Sequence, residues 1–213
     1  MNVTGGDDRL GEIARFVHDR LFQVAGQRSD SSLDPEYRWQ HTLRVGRYGR
    51  MIAESEGAQV ALVVAACLLH DVAHFDQDDW KEHGRLGARI SRPLLIDLGF
   101  SPEETDNICY SVAVHVDGRA EFPHGETLES KVVSDADNVD RFGAYRILQW
   151  CTAGVESYEG LIAKLRPRLQ TLEDYRGRRV METETGHHLF NRHLDLQMSF
   201  FQALVAESEL TSL

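Results

Sequence analysis

The stretch Ala65-Ala66-Cys67-Leu68-Leu69-His70-Asp71-Val72-Ala73-His74 places a His-Asp doublet at the end of a long apolar run. Residues 58–69 are apolar on nearly every helical face, which predicts a central helix that delivers His70 and Asp71 to the interior. An unpaired buried charge is strongly unfavourable, so these side chains need a counter-ion or a metal. Adjacent helical residues point about 100° apart and can share one ion only near a helix end or a distortion. The doublet therefore predicts a metal site whose other ligands come from other helices.

Length and composition favour one globular domain. The chain has 213 residues, of which 42% are hydrophobic, and this is enough for one well-buried core. Its longest apolar run, residues 60–69, is too short to cross a bilayer, and residues 1–10 lack the features of a signal peptide. We therefore expect a cytoplasmic protein with no membrane partner. The formal charge of −11 disfavours nucleic acid, although a bound divalent cation would reverse the local field for a small anionic substrate.

The three cysteines, Cys67, Cys109 and Cys151, lie far apart in sequence and form no CxxC pair. This spacing argues against a thiolate zinc site, a redox dithiol or a disulfide framework. We interpret all three as small core residues.

The hydrophobic periodicity predicts an all-α fold of about seven to nine helices, because no segment shows convincing strand alternation. Asp7 or Asp8 caps a first helix over residues 8–26, and Asp34 with Pro35 opens a second. The segment Ser101-Pro102-Glu103-Glu104 is a capping box that opens another helix. Residues 29–33 and 76–79 are predicted connections, and a helix is expected to break or bend at Pro167. The predicted apolar stripes of three later helices are His83, Leu86, Ile90 and Leu94; Leu161, Leu165, Leu169 and Leu172; and Leu189, Leu196, Phe200 and Leu204.

Three helical stripes carry an inward histidine or aspartate, namely His41, His115 and Asp137. We expect these side chains to converge with the His-Asp doublet at one internal point. Two imidazoles and two carboxylates suit a divalent first-row metal and leave positions for water and substrate. Asp135 is expected to face solvent, whereas Asp140 is expected to cap, to pair with Arg141 or to support a ligand.

The ordered set of His41, His70-Asp71 and Asp137 resembles the HD superfamily of metal-dependent phosphohydrolases, an all-α fold named for its His-Asp doublet. The match is closest to a small bacterial branch of uncharacterised or nucleotide-hydrolysing HD proteins. It is carried by these flanking segments: Leu69-His70-Asp71-Val72-Ala73, Glu82-His83-Gly84-Arg85-Leu86-Gly87-Ala88, Ala113-Val114-His115 and Asp135-Ala136-Asp137-Asn138-Val139-Asp140. We therefore expect one HD domain over residues 1–213, with a core at about 37–150. The N-terminal helix 8–26 and the C-terminal helices 157–207 are expected to pack on that core.

The resemblance implies specific roles for the site residues. The metal ligands would be His41, His70, Asp71 and Asp137. Asp71, His74 and His115 would be catalytic, with either histidine stabilising transition-state charge or serving as general acid. In two-metal relatives an aspartate at position 71 bridges two ions and histidines at places like His83 and His115 hold the second one. For both, a solvated or satisfied core histidine is the alternative.

One departure from the family pattern concerns phosphate binding. Many relatives have a lysine shortly after the doublet that contacts phosphate, and this chain has His74 there. Further candidates for holding phosphate are Arg44, Arg141 and Arg146, for which a surface salt bridge is the alternative. His187, His188 and His193 form either a chelating tract or an exposed helix start.

The predicted function is hydrolysis of a phosphate ester or anhydride in a small metabolite, with a nucleotide favoured as the substrate. The predicted cofactor is a divalent metal ion, with Mn²⁺ favoured over Mg²⁺, Fe²⁺, Co²⁺, Ni²⁺ and Zn²⁺. Two alternatives stay open: a di-iron oxygenase of HD type, and a domain that senses a nucleotide without cleaving it. The site could also be a His-Asp network left in a fold that has lost catalysis.

Overall fold

The structure is a computed structural model that describes residues 7–28, 33–76 and 79–210. The described residues form nine helices and no strand, which confirms the predicted all-α class. The helices are α1 (Asp8–Gln27), α2 (Pro35–Glu56), α3 (Val60–Leu69), α4 (His83–Asp97), α5 (Pro102–Val114), α6 (Leu128–Arg141), α7 (Ala144–Thr152), α8 (Tyr158–Arg176) and α9 (Glu184–Leu210). None of these helices is long and apolar enough to cross a membrane.

The described residues form two compact units whose boundary lies between Asp140 and Arg141. The first unit contains α1 to α5 and nearly all of α6, and the second contains α7 to α9. The expectation of one domain with terminal helices packed on an HD core stays a prediction. The predicted connections at residues 29–33 and 76–79 lie largely outside the described residues.

Helix α3 is the centre of the first unit. Every residue from 62 to 69 is buried, and the helix contacts α1, α2, α4 and α5. A helix that is apolar on all faces is stable only when other elements enclose it. At Gly49 of α2, an added Cβ would lie 2.5 Å from Sγ of Cys67 on α3, so glycine permits a close approach of these helices. This approach brings His41 of α2 near His70, which follows α3.

The predicted helix starts are correct. The Asp34 side chain accepts a hydrogen bond from the Tyr37 amide at the start of α2, with Pro35 at the first helical position. At the start of α5, Ser101 and Glu104 make both hydrogen bonds of the capping box, at 3.2 and 2.8 Å. Of the four backbone N–H groups left unpaired at a helix start, two at α2 and three at α5 thereby gain partners or are absent.

The predicted apolar stripe of α4 is wrong except at His83. Leu86, Ile90 and Leu94 are only partly buried. The fully buried face consists mainly of small residues, which are Gly84, Gly87, Ala88 and Ser91, together with Leu95. An added Cβ at Gly84 would lie 2.8 Å from the Ala113 carbonyl oxygen of α5, so α4 approaches α5 through residues that lack bulk. Close helix packing therefore selected the small-residue face over the aliphatic one.

The second unit contains two further corrections. Helix α8 runs unbroken through Pro167, so the predicted break is wrong and a bend there stays a prediction, while its Leu165 and Leu172 are buried as predicted. On α9 the buried face lies beside the predicted stripe, because Leu196 and Phe200 are 48% and 44% exposed. The residues buried instead are Gly186, Phe190, Leu194, Gln197, Met198 and Phe201. Phe190 packs edge-to-face on Phe142 at 4.6 Å and belongs to an aromatic cluster with Tyr175, which selects this face.

Two of the cysteines fit the prediction of core residues. Cys67 and Cys109 are buried, whereas Cys151 is partly exposed, and all three are free thiols. Burial raises the pKa of the Cys109 thiol to about 11. Burial also raises the pKa of the Cys67 thiol, so neither buried cysteine is poised as a nucleophile.

Glu129 of α6 stabilises the first unit by joining three helices. One carboxylate oxygen accepts a hydrogen bond from the Gln59 amide at the start of α3, and the other accepts one from Asn107 of α5. Burial opposes its charge, yet these hydrogen bonds hold the pKa of Glu129 below its ordinary value. A carboxyl with a lowered folded-state pKa contributes stability above its unfolded pKa and loses it as the pH falls through the folded value.

We therefore expect Glu129→Ala to lower the free energy of unfolding by about 2 kcal/mol at neutral pH, because two partly buried hydrogen bonds to a charged acceptor are lost. Glu129→Gln should cost less, since one acceptor oxygen remains. Urea unfolding at several pH values measures both effects. The difference between Glu129→Gln and the unmodified chain should shrink below about pH 4, and a difference that is constant with pH would contradict this account.

Candidate metal centre

Four side chains from three helices and one turn meet inside the first unit. His41 lies on α2, His70 caps the end of α3, Asp71 begins the following turn and Asp137 lies on α6. All four are at least nine-tenths buried. Nε2 of His41 lies 3.2 Å from Nε2 of His70, 3.5 Å from Oδ2 of Asp71 and 3.3 Å from Oδ1 of Asp137. Nε2 of His70 lies 3.2 Å from Oδ2 of Asp71 and 4.0 Å from Oδ1 of Asp137.

This spacing fits a shared cation. Ligand atoms held about 2.1 Å from one ion lie about 3.0 Å apart when adjacent and about 4.2 Å apart when opposite. The measured separations of 3.2 to 4.0 Å fall within that range. The donor set of two imidazoles and two carboxylates also matches the preference of divalent first-row metals. Within the described residues, His41, His70 and Asp71 form one of two groups that could hold a metal, and Asp137 belongs to neither group although its Oδ1 lies 3.3 Å from Nε2 of His41.

In His70, His83 and His115, the ring nitrogen that faces away from the cluster is Nδ1, and it contacts a backbone carbonyl oxygen. Nδ1 of His70 donates to the Cys67 carbonyl at 2.7 Å, and Nδ1 of His115 donates to the Val112 carbonyl at 2.7 Å. His83 makes the same contact to the carbonyl three residues earlier, that of Trp80. In a neutral imidazole this leaves Nε2 with a lone pair, which is the arrangement of a metal-binding histidine. The same local contact thus occurs at the C-terminal ends of α3 and α5 and at the start of α4, and it turns each Nε2 towards the cluster.

A second set of histidines surrounds the other oxygen of Asp71. Oδ1 of Asp71 lies 3.0 Å from Nε2 of His83, 3.5 Å from Nδ1 of His74 and 3.9 Å from Nε2 of His115. Nε2 of His83 and Nε2 of His115 are 3.1 Å apart. Asp71, His74 and His83 form the second group that could hold a metal. Asp71 therefore stands between two clusters, with one oxygen directed at each.

In the first cluster, the imidazole and carboxylate groups shift the pKa values of one another. Burial disfavours charge on His41, yet hydrogen bonds with Asp137, Asp140 and Asp71 hold its pKa well above the ordinary value. Burial likewise opposes ionisation of Asp71, but the nearby His70, Arg38 and His74 hold its pKa well below the usual range. The pKa of Asp137 is also lowered despite burial, chiefly by His41. Both carboxylates are thus available as charged ligands at neutral pH.

His74 and His115 have lowered pKa values. Burial, with His70 and His83 nearby, lowers the pKa of His115 to about 3. Burial also lowers the pKa of His74, against the opposing charge of Asp71. Neutral imidazoles serve better as ligands or hydrogen-bond partners than as general acids at neutral pH. The catalytic roles predicted for these two histidines stay predictions.

Asp140 supports His41 from behind. Oδ2 of Asp140 lies 2.7 Å from Nδ1 of His41, and Arg44 donates two hydrogen bonds to the same carboxylate at 2.6 and 3.1 Å. Arg44 therefore forms an ion pair with Asp140, which agrees with the salt-bridge alternative for this residue and not with the prediction that it holds phosphate. The expectation that Asp135 faces solvent is wrong, because it is 1% exposed. Helix α6 is buried on most of its faces, and this includes the face that carries Asp135.

Sequence reasoning missed Arg38, which lies directly on the site. Its guanidinium donates to Oδ2 of Asp71 at 2.5 Å and contacts Nε2 of His74 at 2.7 Å. Arg38 precedes His41 by three residues and so shares its helix face, which is a spacing that could have identified it. His187, His188 and His193 belong to neither potential metal group in the described part of the chain. Nε2 of His187 instead contacts Asn191, and the chelating tract gains no support.

The HD-domain family model matches residues 38–141, the segment that contains every side chain of both clusters. This match confirms the resemblance to the HD family that was found in the sequence. HD domains bind divalent metals, in keeping with the His and Asp groups found here.

Solved structures share the fold over nearly the whole chain. A predicted HD superfamily hydrolase from an uncultured Thermotogales bacterium is 23% identical, with 97% of this chain and 99% of that chain covered at a TM-score of 0.67. An HD-superfamily hydrolase from Bacillus thuringiensis is 19% identical, with 96% and 98% covered at 0.67. YpgQ of Bacillus subtilis in complex with ADP is 21% identical, with 94% and 95% covered at 0.64.

In sequence, the chain is 26% identical over 180 residues to the uncharacterized protein YpgQ of Bacillus subtilis strain 168. This similarity covers 78% of the present chain and 82% of YpgQ. The likeness to the solved structures establishes a common fold and leaves the reaction to be argued from the site.

We expect Asp140→Asn to weaken divalent-metal binding by about 10- to 100-fold, because the oriented carboxylate behind His41 is lost. Isothermal titration with Mn²⁺ measures this effect. Arg44→Gln is the matched control, since it removes the other partner of Asp140 and leaves the carboxylate on His41. Equal metal affinity in Asp140→Asn and the unmodified chain would show that Asp140 does not support the centre.

Proposed function

We propose that this protein hydrolyses a phosphate ester or anhydride of a small metabolite with the help of a divalent metal, and that the substrate is a nucleotide. The carrying observation is the convergence of His41, His70, Asp71 and Asp137 on one buried point, with separations that fit a common cation. The match to the HD-domain family model and structural neighbours described as HD superfamily hydrolases support a hydrolase. The complex of YpgQ with ADP supports a nucleotide.

In the proposed reaction, the four clustered side chains and Asp140 would have different roles. His41, His70, Asp71 and Asp137 would hold the metal, which when bound polarises a phosphoryl oxygen and lowers the pKa of water. The two carboxylates offset the charge of the cation, and Asp140 keeps the His41 ring in place through Nδ1. Because the net charge of the chain is −11, anionic substrates are repelled from most of its surface. Positive charge at the site is therefore needed to bind them.

Asp71 is the residue on which this proposal depends most. We expect Asp71→Ala to abolish retention of metal and to lower turnover by about 10³-fold or more, because both clusters lose their shared carboxylate. Metal analysis of the purified variant and phosphate-release assays measure the two effects. Asp97→Ala, an exposed aspartate of α4, is the control and should behave like the unmodified protein. Full metal occupancy in Asp71→Ala would remove the central ligand assignment.

The substrate class is tested by a screen of the purified protein against nucleotides and p-nitrophenyl esters. Mn²⁺, Mg²⁺, Co²⁺ and Ni²⁺ are each supplied, and release of phosphate and of pyrophosphate is measured separately. Metal-dependent release from a nucleotide supports the proposal and identifies the bond that is cleaved. Tight nucleotide binding without any product would instead favour a sensing domain.

A di-iron oxygenase is a second candidate because Nε2 of His83 and Nε2 of His115 lie 3.0 and 3.9 Å from Oδ1 of Asp71, the oxygen that faces away from His41 and His70. This function requires two irons per chain and consumption of oxygen, with both histidines as ligands. Iron reconstitution followed by metal analysis tests it. One ion per chain, with unchanged stoichiometry in His83→Ala, would exclude the di-iron alternative and leave the hydrolase.

A further inference from the structure

We infer that α4, the end of α5 and residues 117–122 enclose a second binding site, which takes a small aromatic molecule bearing one anionic group. A cavity of about 470 Å³ lies between these three elements. Its volume falls within the range of about 300–1,000 Å³ that is usual for small-molecule sites. None of the four expected metal ligands lines the cavity, so this site does not depend on the proposed function.

The cavity lies on the side of α4 and α5 that faces away from the metal centre. Arg85 lines it and follows His83 of the second cluster by two residues. Ala113 lines it as well and precedes His115 of the same cluster by two residues. Side chains two positions apart on a helix point about 200° apart. A ligand in this cavity would therefore be separated from the metal centre by the two helices.

Residues 117–122 form one wall of the cavity, because their side chains contact three arginines that follow one another along α4. These contacts are Asp117 with Arg85, Glu121 with Arg89 and Phe122 with Arg92. Nη1 of Arg85 donates to both oxygens of Asp117, at 2.9 and 3.2 Å, and the Arg85 side chain is only 10% exposed. The segment is thus held at its start and carries Glu121 and Phe122 to the cavity.

Much of the remaining lining is apolar. Its apolar side chains are Ala88, Pro93, Ile96, Ala113 and Phe122. The guanidinium carbon of Arg92 lies over the Phe122 ring, 5.4 Å from its centroid. Aromatic rings stack on other rings and on guanidinium planes, so Phe122 and Arg92 offer a surface for a flat ring. Apolar walls with a few polar groups are typical of sites for small molecules.

The charges of the lining favour one anionic group beside Arg89. Three arginines and two carboxylates line the cavity. The Arg89–Glu121 pair is about half exposed on both sides, and such a pair contributes little to stability, so a ligand anion can replace Glu121 as the partner of Arg89. Arg92 makes a similarly exposed pair with Asp106. Asp97, the other carboxylate, lies eight residues beyond Arg89, about 12 Å along α4, and disfavours an anion at that end.

The test uses two fluorescent probes that differ in a single group. Anilinonaphthalene sulfonate combines aromatic rings with one sulfonate, and N-phenylnaphthylamine has the same rings without the charge. Both probes become brighter in apolar surroundings, so fluorescence titration measures their affinities. We expect each probe to bind the folded, metal-free protein at one site per chain.

Three variants separate the contributions of charge and ring. We expect Arg89→Gln to weaken binding of the sulfonate about three- to tenfold and to leave the neutral probe unchanged, because a charge-assisted contact is lost. Glu121→Gln should strengthen binding of the sulfonate about two- to threefold, because a competing carboxylate is gone. Phe122→Ala should weaken binding of both probes about tenfold, since the stacking surface is lost.

Two control variants should change neither affinity. Arg15→Gln removes an exposed arginine of α1 that pairs with Glu12 as Arg89 pairs with Glu121. Asp71→Ala removes the central carboxylate of the metal centre, which lies outside the cavity. Thermal melts establish that each variant is folded.

Three results would overturn the inference. The first is equal affinity for the sulfonate in Arg89→Gln and the unmodified chain. The second is loss of probe binding in Asp71→Ala, which would place the probe in the metal centre. The third is the absence of probe binding to the folded, unmodified protein. None of these results would affect metal-dependent hydrolysis, which is measured separately by release of phosphate.

Discussion

The site depends on one carboxylate placed at the end of a fully buried helix. Asp71 follows His70, the C-cap of α3, and is 3% exposed, with Oδ2 directed at His41 and His70 and Oδ1 directed at His74, His83 and His115. Its negative charge is stable there only because positive or potentially positive groups surround it. Five histidines and Arg38 surround Asp71, and Asp137 and Asp140 add two more carboxylates beside His41, so the centre combines the imidazole and carboxylate groups that bind a divalent cation.

The helices that pack around α3 hold Asp71 in this position. Because α3 is apolar on every face, other helices of the first unit must enclose it, and α2, α4 and α5 do so. Each of these helices contributes a histidine where it comes near the end of α3. Glycines at positions 49 and 84 permit the close approaches that bring these rings together. The small residues that allow close helix packing in the core therefore also set the distances between the ligand atoms of the site.

Much of this was predictable from the sequence because the signals were local or periodic. The capping residues of α2 and α5, the buried α3 and the inward face of His41, His115 and Asp137 follow from short-range patterns. Their convergence was predicted on energetic grounds, since each buried polar side chain needed a partner. The resemblance to the HD family added His83 as a candidate, and the geometry places it 3.0 Å from Asp71.

What could not be predicted depended on tertiary contacts. The aliphatic stripe of α4 satisfied the helical period as well as the small-residue face did, and only the closeness of α5 distinguishes the two. The face of α9 was decided by the aromatic cluster around Phe190, and the burial of Asp135 by the enclosure of α6. Arg38 was missed because an arginine on an amphipathic helix is usually a surface residue, and its partners Asp71 and His74 lie more than thirty residues away.

The most direct test of the central claim is a crystal structure of the protein soaked in Mn²⁺, with the ion located by anomalous scattering. The account predicts an ion bound by Nε2 of His41, Nε2 of His70, Oδ2 of Asp71 and a carboxylate oxygen of Asp137, each at about 2.0–2.4 Å. An ion found elsewhere, or a centre that excludes His41 or Asp137, would contradict it.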